Sequence, residues 1–172
     1  MIRLAPLAAA CALAAVAGMA AAPQAAAADL PSGPFQMENP GWDTSDCAYA
    51  GDDAPHYIRE KSCSEVDAPS RWFYDTGSRQ ITNGRQSARG KCLAAPRTIQ
   101  DEAHRRLTMQ PCDRHDPRQR WITLAVSDDR TALEVADKSG HYLAAMSDGD
   151  PWLVAPGVPG RTGGLVFRPI SK

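Results

Sequence analysis

Hydrophobic positions divide the chain into two unlike parts. From residue 4 to residue 22 apolar side chains run almost without interruption. Beyond Pro34 they come in short clusters, each bounded by Asp, Gly, Ser, Asn or Pro. The clusters read as twelve strands, at residues 35–37, 47–50, 56–60, 71–74, 80–83, 92–95, 106–110, 121–126, 133–136, 142–146, 152–154 and 165–170, with turn signals such as Asp75-Thr76-Gly77 and Asp148-Gly149-Asp150-Pro151 between them. Only residues 99–107 have a helical look, and their 3.6-residue period is weak. Many short strands joined by turns predict an all-β sandwich or barrel.

An internal repeat narrows that choice. Cys63 precedes Trp72 by nine positions and Cys112 precedes Trp121 by nine, in "CSEVDAPSRW" and "CDRHDPRQRW". Both stretches have Asp at the fifth place, Pro soon after and Arg-Trp at the end. Cys47 lies 25 residues before Trp72, Cys92 lies 29 before Trp121, and Tyr142 lies 25 before Phe167. "SARGKCLAAP" aligns with "DKSGHYLAAM". The frame recurs every 45–50 residues, three times, with four strands in each copy.

The first segment has one positive charge, Arg3, an apolar run and the small-residue tract 25–28 before Asp29. That is the pattern of a secretory signal peptide over residues 1–28, cleaved near Ala27 or Ala28. Pro6 and the weakly apolar alanines argue against a membrane span. Cys11 raises a lipoprotein as a rival, but the apolar stretch before it is short. Without this segment 18 basic side chains face 20 acidic ones, so the net charge is −2 and carries no footprint of nucleic acid. Four cysteines remain, an even number suited to an oxidising compartment, and count alone allows three pairings. The repeat selects Cys47–Cys63 and Cys92–Cys112, each closing a loop of about 15–20 residues and contributing about 3 kcal/mol. The third copy has no cysteines, and Tyr142 is expected to fill that space by packing.

These motifs resemble the ricin B-type lectin family, a β-trefoil of three four-stranded repeats with pseudo-threefold symmetry. The family's signature is Gly-x-Cys-Leu, a second cysteine and a closing Gln-x-Trp. Copy two carries Gly90-Lys91-Cys92-Leu93, Cys112 and Gln119-Arg120-Trp121. Copy one closes on Ser70-Arg71-Trp72 and copy three on Leu165-Val166-Phe167. The resemblance implies a lead-in at 29–34 and a trefoil domain at 35–172, with repeats at about 35–79, 80–127 and 128–172. Trp72, Trp121 and Phe167 are expected to build one shared core. Gln119 is expected to satisfy backbone groups in its turn.

The family's sugar shelf implies an Asp two residues after the first cysteine, an aromatic about two before the second, and an Asn just before the Gln. Copy two holds Ala94, Gln110 and Arg118 at these places, and only Gln119 matches. Copy one holds Tyr49, Lys61 and Pro69. Copy three holds Ala144 and Gly164, with the aromatic place unassigned. Copy three does offer "SDGDPWL", in which Asp148, Asp150 and Trp152 combine hydrogen-bond acceptors with a flat ring, as a sugar-binding loop needs. An ordinary turn with Trp152 in the core is the competing reading. Asp148, Asp150, Trp152, Gln119 and Arg118 are therefore the candidate ligand residues.

Other chemistry is not indicated. His56, His104, His115 and His141 share no metal spacing. There is no nucleophile elbow, zincin helix or phosphate loop, so no catalytic residue, metal or cofactor is expected. Arg97, Arg105, Arg106, Arg114, Arg118 and Arg120 cluster in copy two, offset by Asp101, Glu102, Asp113 and Asp116, as a solvated face or a docking surface. The expected function is a secreted, extracellular or periplasmic, non-catalytic binder of a glycan or glycoprotein. The alternative is an accessory or receptor-binding subunit that docks a partner toxin or other secreted chain, as in the ricin-like accessory subunits of cytolethal distending toxins. A trefoil protease inhibitor using residues 157–164 ranks below both, because a glycine-rich loop is not preorganised.

Overall fold

The computed structural model of the chain describes residues 29–39, 46–53, 55–97, 106–128, 130–137, 140–145, 151–154 and 164–171. The described elements are twelve strands and three single 3-10 turns, with no α-helix among them. The strands are β1 (Phe35–Asn39), β2 (Asp46–Ala50), β3 (Ile58–Ser62), β4 (Trp72–Asp75), β5 (Gln80–Asn83) and β6 (Lys91–Ala94). They continue with β7 (Thr108–Pro111), β8 (Trp121–Ser127), β9 (Arg130–Val135), β10 (Tyr142–Ala145), β11 (Pro151–Val154) and β12 (Val166–Pro169). Each answers to one expected from the hydrophobic pattern. His56 is excluded from β3: it sits in a turn at φ 58°, its Nδ1 2.9 Å from the Gly51 carbonyl oxygen. The weakly helical stretch 99–107 lies outside the described residues except for Arg106 and Leu107.

Six strands form a closed ring. β1 meets β4 at Phe35–Trp72, β4 pairs with β5, β8 with β9, and β12 with β1, all antiparallel. The gap between β5 and β8 is bridged by the Trp121 N–H, which donates to the Arg79 carbonyl at 2.9 Å. The gap between β9 and β12 is bridged by the reciprocal Thr131–Leu165 pair, both bonds 3.0 Å. Closure removes exposed sheet edges. The other six strands form three hairpins, β2–β3, β6–β7 and β10–β11. The hairpins of copies one and two also touch, through the Ile58 N–H on the Leu107 carbonyl at 3.1 Å and the Met109 N–H on the His56 carbonyl at 3.2 Å. A ring of six strands with three hairpins is a β-trefoil.

The hairpins share one register. Cys47 faces Lys61, Cys92 faces Gln110 and Tyr142 faces Val154. Two places along, Tyr49 faces Arg59, Ala94 faces Thr108 and Ala144 faces Trp152. Disulfides Cys47–Cys63 and Cys92–Cys112 brace the first two hairpins, over separations of 16 and 20 residues. In the third, Tyr142 is buried at the place of the first cysteine. Gly90 and Gly140, at equivalent places before β6 and β10, have φ of 73° and 70°. A side chain there is strained even where space is open.

The core holds Trp72, Trp121, Phe35, Met37, Ile58, Ile81, Leu93, Leu107, Met109, Leu133 and Leu143, all fully buried. Each indole is pinned to its own copy. The Trp72 Nε1–H donates to the Ala48 carbonyl at 2.8 Å, and the Trp121 Nε1–H donates to the Leu93 carbonyl at 3.1 Å. The acceptor is in both cases the residue after the first cysteine. Burying one indole contributes on the order of 5 kcal/mol.

Phe167 departs from the symmetrical expectation: it is half-buried and packs on the core from its rim, edge-on to Phe35 at 5.4 Å. Phe has no N–H to reach a hairpin carbonyl, and Leu165 fills the interior position two residues earlier. The lead-in is held down here as well. Leu30 packs on the core, and the Ile170 N–H donates to the Pro34 carbonyl at 2.8 Å. Buried Glu38 of β1 takes a two-pronged hydrogen bond from Arg168 of β12, its Oε1 2.9 Å from Nη2. This ties the two ends of the domain together. Trp121→Phe should leave the Leu93 carbonyl unsatisfied and lower the unfolding free energy by about 1–3 kcal/mol in urea titration. Phe167→Leu should cost less than Trp121→Phe.

Candidate functional site

The shelf of copy two is built by β6, β7 and the 3-10 turn Pro117–Gln119. Asp116 caps that turn, its Oδ1 accepting from the Arg118 N–H at 3.0 Å. Proline at the first helical position suits such a turn, because its missing N–H is not needed there. Gln119 is 2% exposed. Its Oε1 accepts from the Asp113 N–H at 2.8 Å and from Gln80 Nε2 at 3.2 Å, and its Nε2 donates to the Pro111 carbonyl at 2.9 Å. The amide knits the turn to β5 and β7, which leaves it little to offer a ligand. Arg118, at the family's Asn position, folds back. Its guanidinium binds both oxygens of Asp116 and donates to the Ala95 carbonyl at 3.2 Å. Ala94, at the acid position, is fully buried. Gln110, at the aromatic position, donates to Thr108 Oγ1 at 3.1 Å. The polar groups of this shelf are occupied by one another.

The shelf of copy one closes by a different route. Lys61 stands at the aromatic position and Tyr49 at the acid position. The Lys61 ammonium lies 5.5 Å from the Tyr49 ring centroid, a cation–π contact. It also pairs with Asp67 and, at 3.6 Å, with Glu65. Asp67 matches Asp116: it caps the 3-10 turn Ala68–Ser70 in a reciprocal box with Ser70. Burial pushes the Asp67 carboxyl up, but hydrogen bonds from Lys61 and Ser70 and the Lys61 charge outweigh this and hold it below the usual carboxylate range. Ser70 is fully buried at the place of Gln119 and donates to the Glu65 and Asp67 carbonyls.

In copy three the register resolves the unassigned place: Val154 faces Tyr142 and therefore stands at the aromatic position. Trp152 faces Ala144, the acid position. Asp148 and Asp150 lie outside the described residues, as do residues 157–163 of the glycine-rich loop. The candidate ligand residues are thus not gathered at one place. Arg118 and Gln119 belong to the closed shelf of copy two, and Trp152 to the hairpin of copy three.

The basic cluster of copy two is partly engaged too. Arg106 stacks near Tyr57 at 5.9 Å and Arg114 Nε donates to His115 Nε2 at 3.2 Å. Arg105, Asp101, Glu102 and His104 lie outside the described residues. Among the described residues no group of three or more His, Cys, Asp or Glu gathers to hold a metal ion. The Lys61–Asp67 contact and the Tyr49–Lys61 stack were missed from sequence. The stack depends on the β2–β3 register and the ion pair on the path of the chain from β3 into the turn that Asp67 caps.

The fold and its three matched hairpins define a disulfide-braced β-trefoil whose surface shelves carry replaced side chains. The Ricin-type beta-trefoil lectin domain pattern matches residues 17–121, more than half of the chain. The chain belongs to that family. The match begins inside the alanine-rich N-terminal stretch and ends on Trp121, so the third copy lies beyond it. No curated protein matches the chain. Among solved structures it is similar to the β-trefoil lectin of the Vibrio vulnificus hemolysin/cytolysin with N-acetyl-D-lactosamine bound, at 12% identity and a TM-score of 0.58, covering 81% of this chain and 98% of that one. It is also similar to a mosquitocidal holotoxin, at 8% identity and 0.63, covering 83% of this chain but 18% of that one. For the lysenin pore the values are 9% identity and 0.53, covering 91% and 56%.

A carboxylate held below its ordinary range stabilises the fold above its unfolded pKa of about 3.9 and loses that contribution as pH falls through the folded value. Thermal melts from pH 6 down to pH 2 should therefore show falling stability below about pH 4. Asp67→Asn, which keeps a capping side chain but removes the charge beside Lys61, should flatten that acid limb.

Proposed function

We propose that the chain is a secreted, non-catalytic carbohydrate-binding protein that takes a glycan or glycoprotein through its trefoil. Membership of the ricin-type lectin family carries the reading. The two disulfides support an oxidising compartment outside the cytoplasm, and residues 1–28 act as the signal peptide. Copy three is the favoured shelf. Trp152 stands across from Ala144 and follows Asp148 and Asp150 closely in sequence, whereas the shelves of copies one and two are filled by their own ion pairs. An indole and carboxylates together suit the apolar face and the hydroxyls of a sugar.

The closure of those two shelves favours a second reading, in which the chain is an accessory subunit that docks a partner toxin or secreted protein. The holotoxin likeness agrees with it only as a matter of fold. A glycan array probed with the exported protein separates the two. Carbohydrate binding predicts discrete positive glycans, lost about tenfold or more in Trp152→Ala and unchanged in Arg118→Ala. A silent array together with a stoichiometric complex with a co-secreted chain supports the accessory reading and sinks the first.

A further inference from the structure

A cleft of about 410 Å³ lies where β4, β5 and the turn before β6 meet, and none of the shelf residues named above lines it. Its volume falls in the range of small-ligand sites, about 300–1,000 Å³. Its walls include Phe73, Thr82, Arg85, Gln86 and Arg89, and none of its lining residues is acidic. Phe73 is 40% exposed, one of two large apolar side chains so exposed among the described residues. It faces Thr82 across the β4–β5 ladder, so ring and hydroxyl share a face.

The polar wall is rigid. The Asn83 Nδ2–H donates to the Pro69 carbonyl at 2.8 Å, and its Oδ1 accepts from the Arg85 N–H at 2.9 Å. Arg85 is braced by Asp52, which leaves its Nε buried and without a partner. Arg89 is exposed and has no ion pair among the described residues. The backbone of Arg71 holds Gly84 in place from behind, the Gly84 N–H donating to the Arg71 carbonyl at 2.8 Å. Two guanidinium groups thus line the cleft, Arg85 and Arg89, and one carboxylate, Asp52, answers the first of them.

Threefold architecture does not require this arrangement. The place of Phe73, directly after the closing aromatic, holds Ile122 in copy two and Arg168 in copy three, and Arg168 is engaged by Glu38. The ring is particular to the seam between copies one and two.

We infer that this cleft binds an acidic saccharide, with the Phe73 ring under a sugar face and Arg89 reading a carboxylate or sulfate. The inference rests on the carbohydrate-binding reading but names a different surface. A ring with hydroxyl and amide groups suits a pyranose, and free guanidinium suits a planar or tetrahedral oxyanion.

Titration calorimetry of the exported protein with lactose, 3′-sialyllactose and lactose 3′-sulfate tests it, the two acids distinguishing carboxylate from sulfate. At least one acid should bind about tenfold tighter than lactose, and the preference should shrink as salt rises. Arg89→Ala should bring that ratio to within about twofold while lactose binding stays put. Phe73→Ala should weaken all three by about fivefold. Both side chains are exposed, so melting temperatures should not move. An acid preference that survives Arg89→Ala overturns the cleft, and so does failure of all three sugars while other glycans bind on an array. In both cases the carbohydrate reading stands. Silence of the whole array removes both.

Discussion

The hydrogen bond from a buried indole to the first-hairpin carbonyl of its own copy is the constraint on which this fold turns. Trp72 reaches Ala48 and Trp121 reaches Leu93. Each bond joins the last strand of a copy to its second strand, across 24 and 28 residues. A buried carbonyl left without a donor costs about 1–3 kcal/mol, so the indole has to enter the core in one orientation. That orientation fixes the closing strand, and the closing strand sets where the next copy begins. The Trp121 N–H on the Arg79 carbonyl and the Tyr74 hydroxyl on the Trp121 carbonyl extend the same chain of constraint across the seam between copies one and two.

Around that axis, the polar residues of the repeats do structural work first. Asp67 and Asp116 cap short turns; Ser70 and Gln119 gather stray backbone groups behind them. Both turns then draw a nearby cation inward, Lys61 in one and Arg118 in the other. The two cations come from unequal places in the repeat, one from a strand and one from the turn itself. The shared demand is an N-cap carboxylate, and each copy meets its excess charge with whichever side chain is within reach. A shelf closed in this way has few free hydrogen-bonding groups for a sugar.

Much of the architecture was legible in the sequence. Strand positions follow from short apolar clusters between turn signals. The disulfides follow from a repeat that places Cys47 with Cys63 and Cys92 with Cys112. Gly90 and Gly140 fall at aligned places of the repeat, and the structure gives both a positive φ. What was not legible depended on register or on the third copy's drift. Lys61 over Tyr49 is a cross-strand relation that no linear spacing displays. Phe167 aligns with the two tryptophans, yet without an indole N–H nothing pulls it inward, and Leu165 has the interior place. Arg118 stands where the family has Asn, and its ion pair with the Asp116 cap is likewise a matter of turn geometry that the linear sequence does not display.

Drift between copies has a physical licence. Once two indoles, two disulfides and the Glu38–Arg168 clasp hold the ring, positions outside that network are under weak structural demand. Phe73, Arg89 and Trp152 all fall in this class: the equivalent places in the other copies hold side chains of different chemistry, so the fold alone does not require an aromatic or a cation there. Exposing a phenyl ring forgoes burial that would stabilise the fold, and leaving guanidinium groups beside it with few counter-charges adds repulsion. Features of this kind, where local stability is not maximised and threefold symmetry is broken, are where recognition by a trefoil has room to be written. In this chain they lie on the seam between copies one and two and on the hairpin of copy three.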